Sequence, residues 1–166
     1  MIFQDLLSVS PFTWSAIGTS LLCGAIIGLE RQLRGKPVGI RTSSLIVLGT
    51  YIFVATSLIV ANDVSDRSRV IGQVATGIGF LGAGVMLAKE GIVGGVTSAA
   101  TIWTLAAIGV CISVVNEHVA IKISIVVVTI LYGVDLLEKY FSTLTEGVHS
   151  RYRDLSKKRG KREKRE

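Results

Sequence analysis

The sequence is poor in the residues that staple or metallate small domains: it has two cysteines and two histidines. Cys23 and Cys111 both lie inside apolar runs, which argues against a disulfide framework or a metal site and reads them as small buried apolar residues. His118 and His149 have no metal-ligand spacing to each other or to cysteine. No nucleophile–base pair and no acid–base pair at catalytic spacing is present. The chain is therefore expected not to be an enzyme, and no catalytic, cofactor or metal residue is nominated. Charge is missing over long stretches too. Asp5 and Glu30 bracket 24 uncharged residues, enough to cross ~30 Å of hydrocarbon at about 1.5 Å per residue. The opening Met1–Asp5 is too short and too acidic for the basic start of a signal peptide.

What is there is grease in blocks. Of the 166 residues 49% are hydrophobic, and mean hydropathy is +0.57. The charges sit in short clusters between long apolar runs, the pattern of membrane proteins. Residues 147–166 hold nine Lys/Arg and three Asp/Glu, so the whole net charge of +6 lies in the C-terminal tail.

Five membrane helices are expected, at about Phe12–Leu29, Thr42–Ala61, Val70–Ala88, Val96–Val115 and Val119–Leu137. Pro11 would sit at the first turn of the first helix, with Trp14 at the interface. Asn62–Arg69 reads as a polar turn and Lys89–Gly95 as a tight loop, with Thr97-Ser98 as the cap that follows. Trp103 reads as core packing. Lys122 and Asp135 lie near the ends of the fifth helix, where both can snorkel outward.

The third helix is the unusual one. Gly72–Gly84, GQVATGIGFLGAG, carries five glycines, which would weaken a soluble helix by roughly 1 kcal/mol each relative to alanine. In lipid, small residues instead let helices approach closely. Ala75, Gly79 and Ala83 form a small-xxx-small ridge. Gly72, Gly77, Gly79, Gly82, Ala83 and Gly84 are the expected packing positions, and this helix is the expected centre of the bundle. Ser20, Gly24 and Gly28 form a second ridge in the first helix, able to face it. Gly77-Ile-Gly79-Phe-Leu-Gly82 matches the dinucleotide pattern G-x-G-x-x-G, but it lies inside an apolar run without the strand, soluble helix and acid that pattern requires.

Loop charges set an orientation. With the C-terminus inside, 15 basic residues face the cytoplasm, and Arg67, Arg69 and Lys122 are the 3 outside. The expected fold is thus an all-α polytopic membrane helix bundle, N-out and C-in. It comprises a transmembrane domain over residues 1–141 and a disordered basic cytoplasmic tail over 142–166. The tail suits anionic lipid, at ~1 kcal/mol per basic residue near the surface, or serves only to fix topology. Nucleic-acid binding is not expected, since no aromatic or domain pattern accompanies the charge.

Two segments together resemble the MgtC/SapB family of bacterial inner-membrane proteins: Gly28-Leu-Glu-Arg-Gln-Leu-Arg-Gly-Lys-Pro-Val-Gly-Ile-Arg-Thr42 and Ser68-Arg-Val-Ile-Gly-Gln-Val-Ala-Thr-Gly-Ile-Gly-Phe-Leu-Gly-Ala-Gly84. Gly94-Gly-Val-Thr-Ser-Ala-Ala-Thr-Ile-Trp103 looks like the family's entry to its fourth helix. The resemblance covers residues 15–135. It implies a multi-pass plasma-membrane protein of about five helices, linked to growth in low magnesium. Better-known members are linked to survival in macrophages and modulate partners, notably the membrane ATP synthase, rather than moving ions. They carry a folded soluble C-terminal domain where this chain has a short basic tail, so those roles are not carried over. The implied function is a non-enzymatic regulator of membrane partners, or alternatively a cation transporter or channel.

The polar candidates sit at helix ends inside these segments. Glu30, Arg31 and Arg41 flank the first inner loop, where Glu30 and Arg41 read either as an ion-paired gate or partner-binding corner, or as interfacial anchors. Arg69 and Gln73 lie one turn apart at the start of the third helix, Gln73 offering a polar contact inside the bundle. Asp63 and Asp66 read as a solvated loop rather than a cation site, given Arg67 and Arg69 beside them. Small-residue faces also permit a homo-oligomer.

Overall fold

The structure is a computed structural model that describes residues 8–60, 64–89 and 92–140. The basic tail, the acidic start and Asp63 lie outside the described residues. Five helices follow in order: α1 Trp14–Leu33, α2 Ile40–Val60, α3 Val64–Val85, α4 Val96–Val114 and α5 Glu117–Tyr140. Between α3 and α4 stands an antiparallel pair of three-residue strands, β1 Leu87–Lys89 and β2 Ile92–Gly94, with Leu87 opposite Gly94 and Lys89 opposite Ile92. The fold is all-α apart from this hairpin, which occupies the expected tight loop.

Helix ends differ from expectation for local reasons. The N-cap of α1 is Thr13, whose hydroxyl accepts from the Ala16 N–H at 3.2 Å, so Pro11 lies before the helix rather than in its first turn. α1 runs on through Glu30 and Arg31 to Leu33 because charged side chains cost an α-helix little where they can fold against each other. It ends in a Schellman turn. Gly35, at φ +61, donates to Gln32 O at 3.1 Å, and Lys36 donates to Arg31 O at 2.9 Å. Glycine suits that left-handed position because it has no Cβ to clash. α3 begins at Val64, so Arg67 and Arg69 are helical rather than part of a turn. α3 is also continuous through all its glycines.

Two compact units divide the chain, one through Val128 and one from Thr129. In the second, the described residues are the last turns of α5, with Ile130, Tyr132, Val134, Leu136 and Leu137 exposed. In the first, α2 packs on α1 and α4, and α4 packs on α2 and α3. Ile27, Val47, Val54, Leu105 and Ile108 are fully buried at its core.

The centre of this unit is therefore α2 and α4, not the glycine-rich helix. Added methyl groups on Gly72, Gly77, Gly79 or Gly84 would meet nothing within 4 Å, and only Gly82 reaches a neighbour, Ala99 of α4. Phe80 is 82% exposed. Small residues bring a backbone close only where another backbone comes to meet them, and none of this unit comes to α3's outer side. The close approaches lie elsewhere. A methyl on Gly24 would run into the Ser43–Ser44 backbone, and one on Gly28 into Gly39 and Ile40. The Ser20–Gly24–Gly28 ridge thus faces α2 rather than α3. Gly109 of α4 meets Val47 O and Thr50 in the same way. Trp103, expected in the core, is 58% exposed on α4.

α2, α4 and Glu117–Leu137 of α5 are long and apolar enough to cross a membrane. α1 and α3 are long enough, at 20 and 22 residues, but glycines, hydroxyl residues and end charges lower their hydropathy. Hydroxyls within both helices nonetheless find partners. Ser20 Oγ donates to Ala16 O at 2.7 Å and Thr76 Oγ1 to Gly72 O at 3.0 Å, each within its own helix. Ser57, Thr101 and Ser124 bond back in the same manner at 2.7, 2.8 and 2.9 Å.

Candidate functional site

Two polar features meet at one end of the first unit, around the loop from α1 to α2. The first is a buried charge cluster built by the last turns of α1. Glu30 is 7% exposed and Arg31 4%. Glu30 Oε1 lies 2.7 Å from Arg34 Nε, one turn along the same helix, and Oε2 lies 3.6 Å from Arg31 Nη1. Adjacent helix residues do not face each other, so the Glu30–Arg31 pairing is loose. Neither Glu30 oxygen receives a well-aimed hydrogen bond, and Arg31 Nε donates none. Arg31 Nη2 reaches across to Ser98 Oγ on α4 at 3.4 Å. Ser98 thus accepts a charged donor instead of capping. The N-cap of α4 is Gly95, which makes no side-chain cap bond. Two guanidiniums around one carboxylate leave the cluster with one net positive charge.

The loop beyond it is held tightly. Gln32 Oε1 accepts from the Ile40 N–H at 3.4 Å, and Ser43 Oγ donates to Val38 O at 3.0 Å. Val38 is buried at φ +70, a backbone region costly for a β-branched residue. Such strain persists only where surrounding structure enforces it.

The second feature is a groove of about 670 Å³ between α2 and α3. Arg41, Thr42, Leu45, Ile46, Gly49, Thr50 and Phe53 line one wall, and Val70, Gln73, Val74, Gly77, Ile78 and Leu81 the other. Its walls are apolar but for Arg41 and Thr42 at one end and the Thr50 and Gln73 side chains further along.

Of the sequence candidates, Glu30 and Arg31 share the buried cluster and Arg41 and Gln73 share the groove. Glu30's ion pairs run to Arg31 and Arg34, not to Arg41, because a partner four residues along one helix is nearer than one across a loop. Arg69 is exposed on the early turns of α3, outside both features. Sequence reasoning missed Arg34 and Ser98, although the i,i+4 spacing of Glu30 and Arg34 was a usable signal. It also missed Glu117. At the first turn of α5, Glu117 accepts from Ser15 Oγ at 2.9 Å and from Thr19 Oγ1 at 3.2 Å, tying α5 to α1. A carboxylate there also complements the helix dipole. Among the described residues, no group of three or more His, Cys, Asp or Glu is placed to hold a metal ion.

Long apolar helices, close glycine contacts and a buried ion cluster at a helix end define a helical membrane protein. The chain belongs to the MgtC family, whose model matches residues 17–140. It is 42% identical over 111 residues to Protein MgtC of Brucella abortus strain 2308, covering 66% of this chain and 46% of that protein. It is 43% identical over 110 residues to the putative magnesium transporter YhiD of Escherichia coli K12, covering 62% and 51%. With Protein MgtC of Salmonella typhimurium LT2 it shares 37% identity over 107 residues, covering 64% and 45%. The chain spans about half the length of the curated relatives it matches. No solved structure matches it at a significant level.

Proposed function

We propose that this chain is a non-enzymatic regulator in the bacterial plasma membrane. In this reading it acts on other membrane proteins during adaptation to low Mg²⁺ or related stress. All five helices cross the bilayer, N-out and C-in, and the basic tail lies on anionic lipid at the cytoplasmic face. One observation supports partner binding above all: the outer stripe of α3. Gly72, Thr76, Gly79 and Ala83 are all exposed and recur at helical spacing. In lipid such a stripe offers a second helix a close approach. The Thr76 hydroxyl is already bonded within its own helix, so an approaching helix meets no unsatisfied donor.

A methyl added at Gly79 would meet nothing within 4 Å among the described residues, which leaves room for Gly79→Leu. That substitution is expected to leave the fold intact and to remove co-purifying membrane proteins. Retention of the same partners by Gly79→Leu and Ala83→Leu would count against the stripe.

A second reading is a cation transporter or channel. The name of the Escherichia coli relative and the presence of Gln73 in a groove favour it. The uncharged runs of the first four helices weigh against it, since intramembrane ion paths usually carry charged residues. Purified protein in liposomes is expected to pass no Mg²⁺, with or without its tail. Uptake that vanished in Gln73→Ala would reverse the ranking.

A further inference from the structure

We propose that the groove between α2 and α3 is a binding site for one anionic phospholipid, whose phosphate rests on Arg41 and whose acyl chain runs toward Phe53. Three observations converge. The first is shape. Gly49 on one wall and Gly77 on the other have no side chain, and a methyl on either would meet nothing within 4 Å. The two glycines leave the groove unfilled where ordinary side chains would occupy it.

The second is length. Arg41 and Phe53 are 12 residues apart on α2, or about 18 Å at 1.5 Å per residue. One leaflet of a ~30 Å hydrocarbon core is about 15 Å deep. A chain entering beside Arg41 would therefore reach Phe53 near the bilayer midplane.

The third is charge. Arg41 is exposed at the first turn of α2, beside the Thr42 hydroxyl. The positive end of the α2 dipole points there as well. Glu30, the one acidic residue between Gly28 and Thr42, is buried and already paired to Arg31 and Arg34, so it does not neutralise Arg41. Lys36 adds a further exposed cation in the same loop. A guanidinium suits a phosphodiester, which it can hold with two parallel hydrogen bonds. The walls beyond offer only apolar contact and the Thr50 and Gln73 side chains, which suits a hydrocarbon chain and not a second charged group.

This site is separate from the outer stripe of α3. Val70, Val74, Gly77 and Leu81 face the groove, whereas Gly72, Thr76, Gly79 and Ala83 lie on the far side of the helix, so each can fail alone.

Native mass spectrometry of the full-length protein, titrated with phosphatidylglycerol or phosphatidylcholine in detergent, tests the assignment. One phosphatidylglycerol should be retained about fivefold more strongly than one phosphatidylcholine, the factor that ~1 kcal/mol per basic residue near a surface corresponds to. Arg41→Gln should erase that preference while neutral lipid still binds. Gly77→Phe should block retention of both lipids, and Gly79→Leu should block neither. A variant truncated before residue 147 should keep the preference, which separates Arg41 from the basic tail. Equal retention of the two lipids by the unaltered protein would overturn the proposal. So would a preference that survives Arg41→Gln, one that disappears with the tail, one abolished by inorganic phosphate alone, or a polypeptide adduct displaced by Gly77→Phe.

Discussion

Glu30→Ala is expected to destabilise the protein by about 3–5 kcal/mol, the usual cost of removing one partner from a buried charge pair. Arg31 is almost wholly buried, and Glu30 and Ser98 are the partners the structure gives it. Without Glu30, Arg31 and Arg34 are left as two cations facing each other at the end of α1. Like charges and lost desolvation repayment act in the same direction, and Arg31 is expected to pull away from Ser98 toward water. The measurement is thermal unfolding in detergent micelles, followed by tryptophan fluorescence. A decisive companion is Glu30→Leu with Arg31→Met, which removes both charges and keeps apolar bulk at both positions. Buried ion pairs are often replaceable by apolar residues at little cost, so the double variant should regain most of the loss. If the single and double variants are equally unstable, the charge pairing is not what matters there.

Gly28→Leu and Gly24→Leu should be comparably severe for a different reason. A side chain at either position meets backbone of α2, and backbone does not swing aside as a side chain end does. Overpacking typically costs 1–3 kcal/mol and sometimes more. Here α1 and α2 must separate along their whole contact, so on the order of 3 kcal/mol is expected at each site. Gly109→Val should behave similarly against Val47 and Thr50. The control is Gly72→Leu on α3, where an added methyl meets nothing within 4 Å, and it should leave unfolding almost unchanged. Disulfide cross-linking between cysteines placed on α1 and α2 would report the separation directly. A Gly28→Leu protein as stable as Gly72→Leu would mean the two helices are not packed as described.

Much of the architecture was legible in the sequence, because an uncharged run of about twenty residues has few fates other than a long apolar helix. The helix boundaries were less so. Glu30 and Arg31 look like the start of a loop, yet folded against Arg34 and Ser98 they sit comfortably in the last turns of α1. Val64–Arg69 looks like a turn because it is polar, but polarity alone does not stop a helix. The role of α3 was not legible for a deeper reason. A run of glycines reads the same whether another backbone of the same chain lies against it or the face is left open. Trp103 shows the same ambiguity, since a large aromatic suits both a core and a hydrocarbon-facing surface. The candidate polar residues were found individually, but their grouping was not. Which cation serves Glu30 depends on how α1 ends, and that is set by Gly35 and the turn around it.

The serines and threonines that bond back to their own helices have a consequence for biogenesis. A hydroxyl partnered by a carbonyl one turn earlier, as at Ser20 or Thr76, does not wait for a neighbouring helix before leaving water. Ser15 and Thr19 of α1 differ, because their partner, Glu117, lies on the last helix to be made. Helices that score as only moderately greasy residue by residue are, once coiled, drier than their composition suggests.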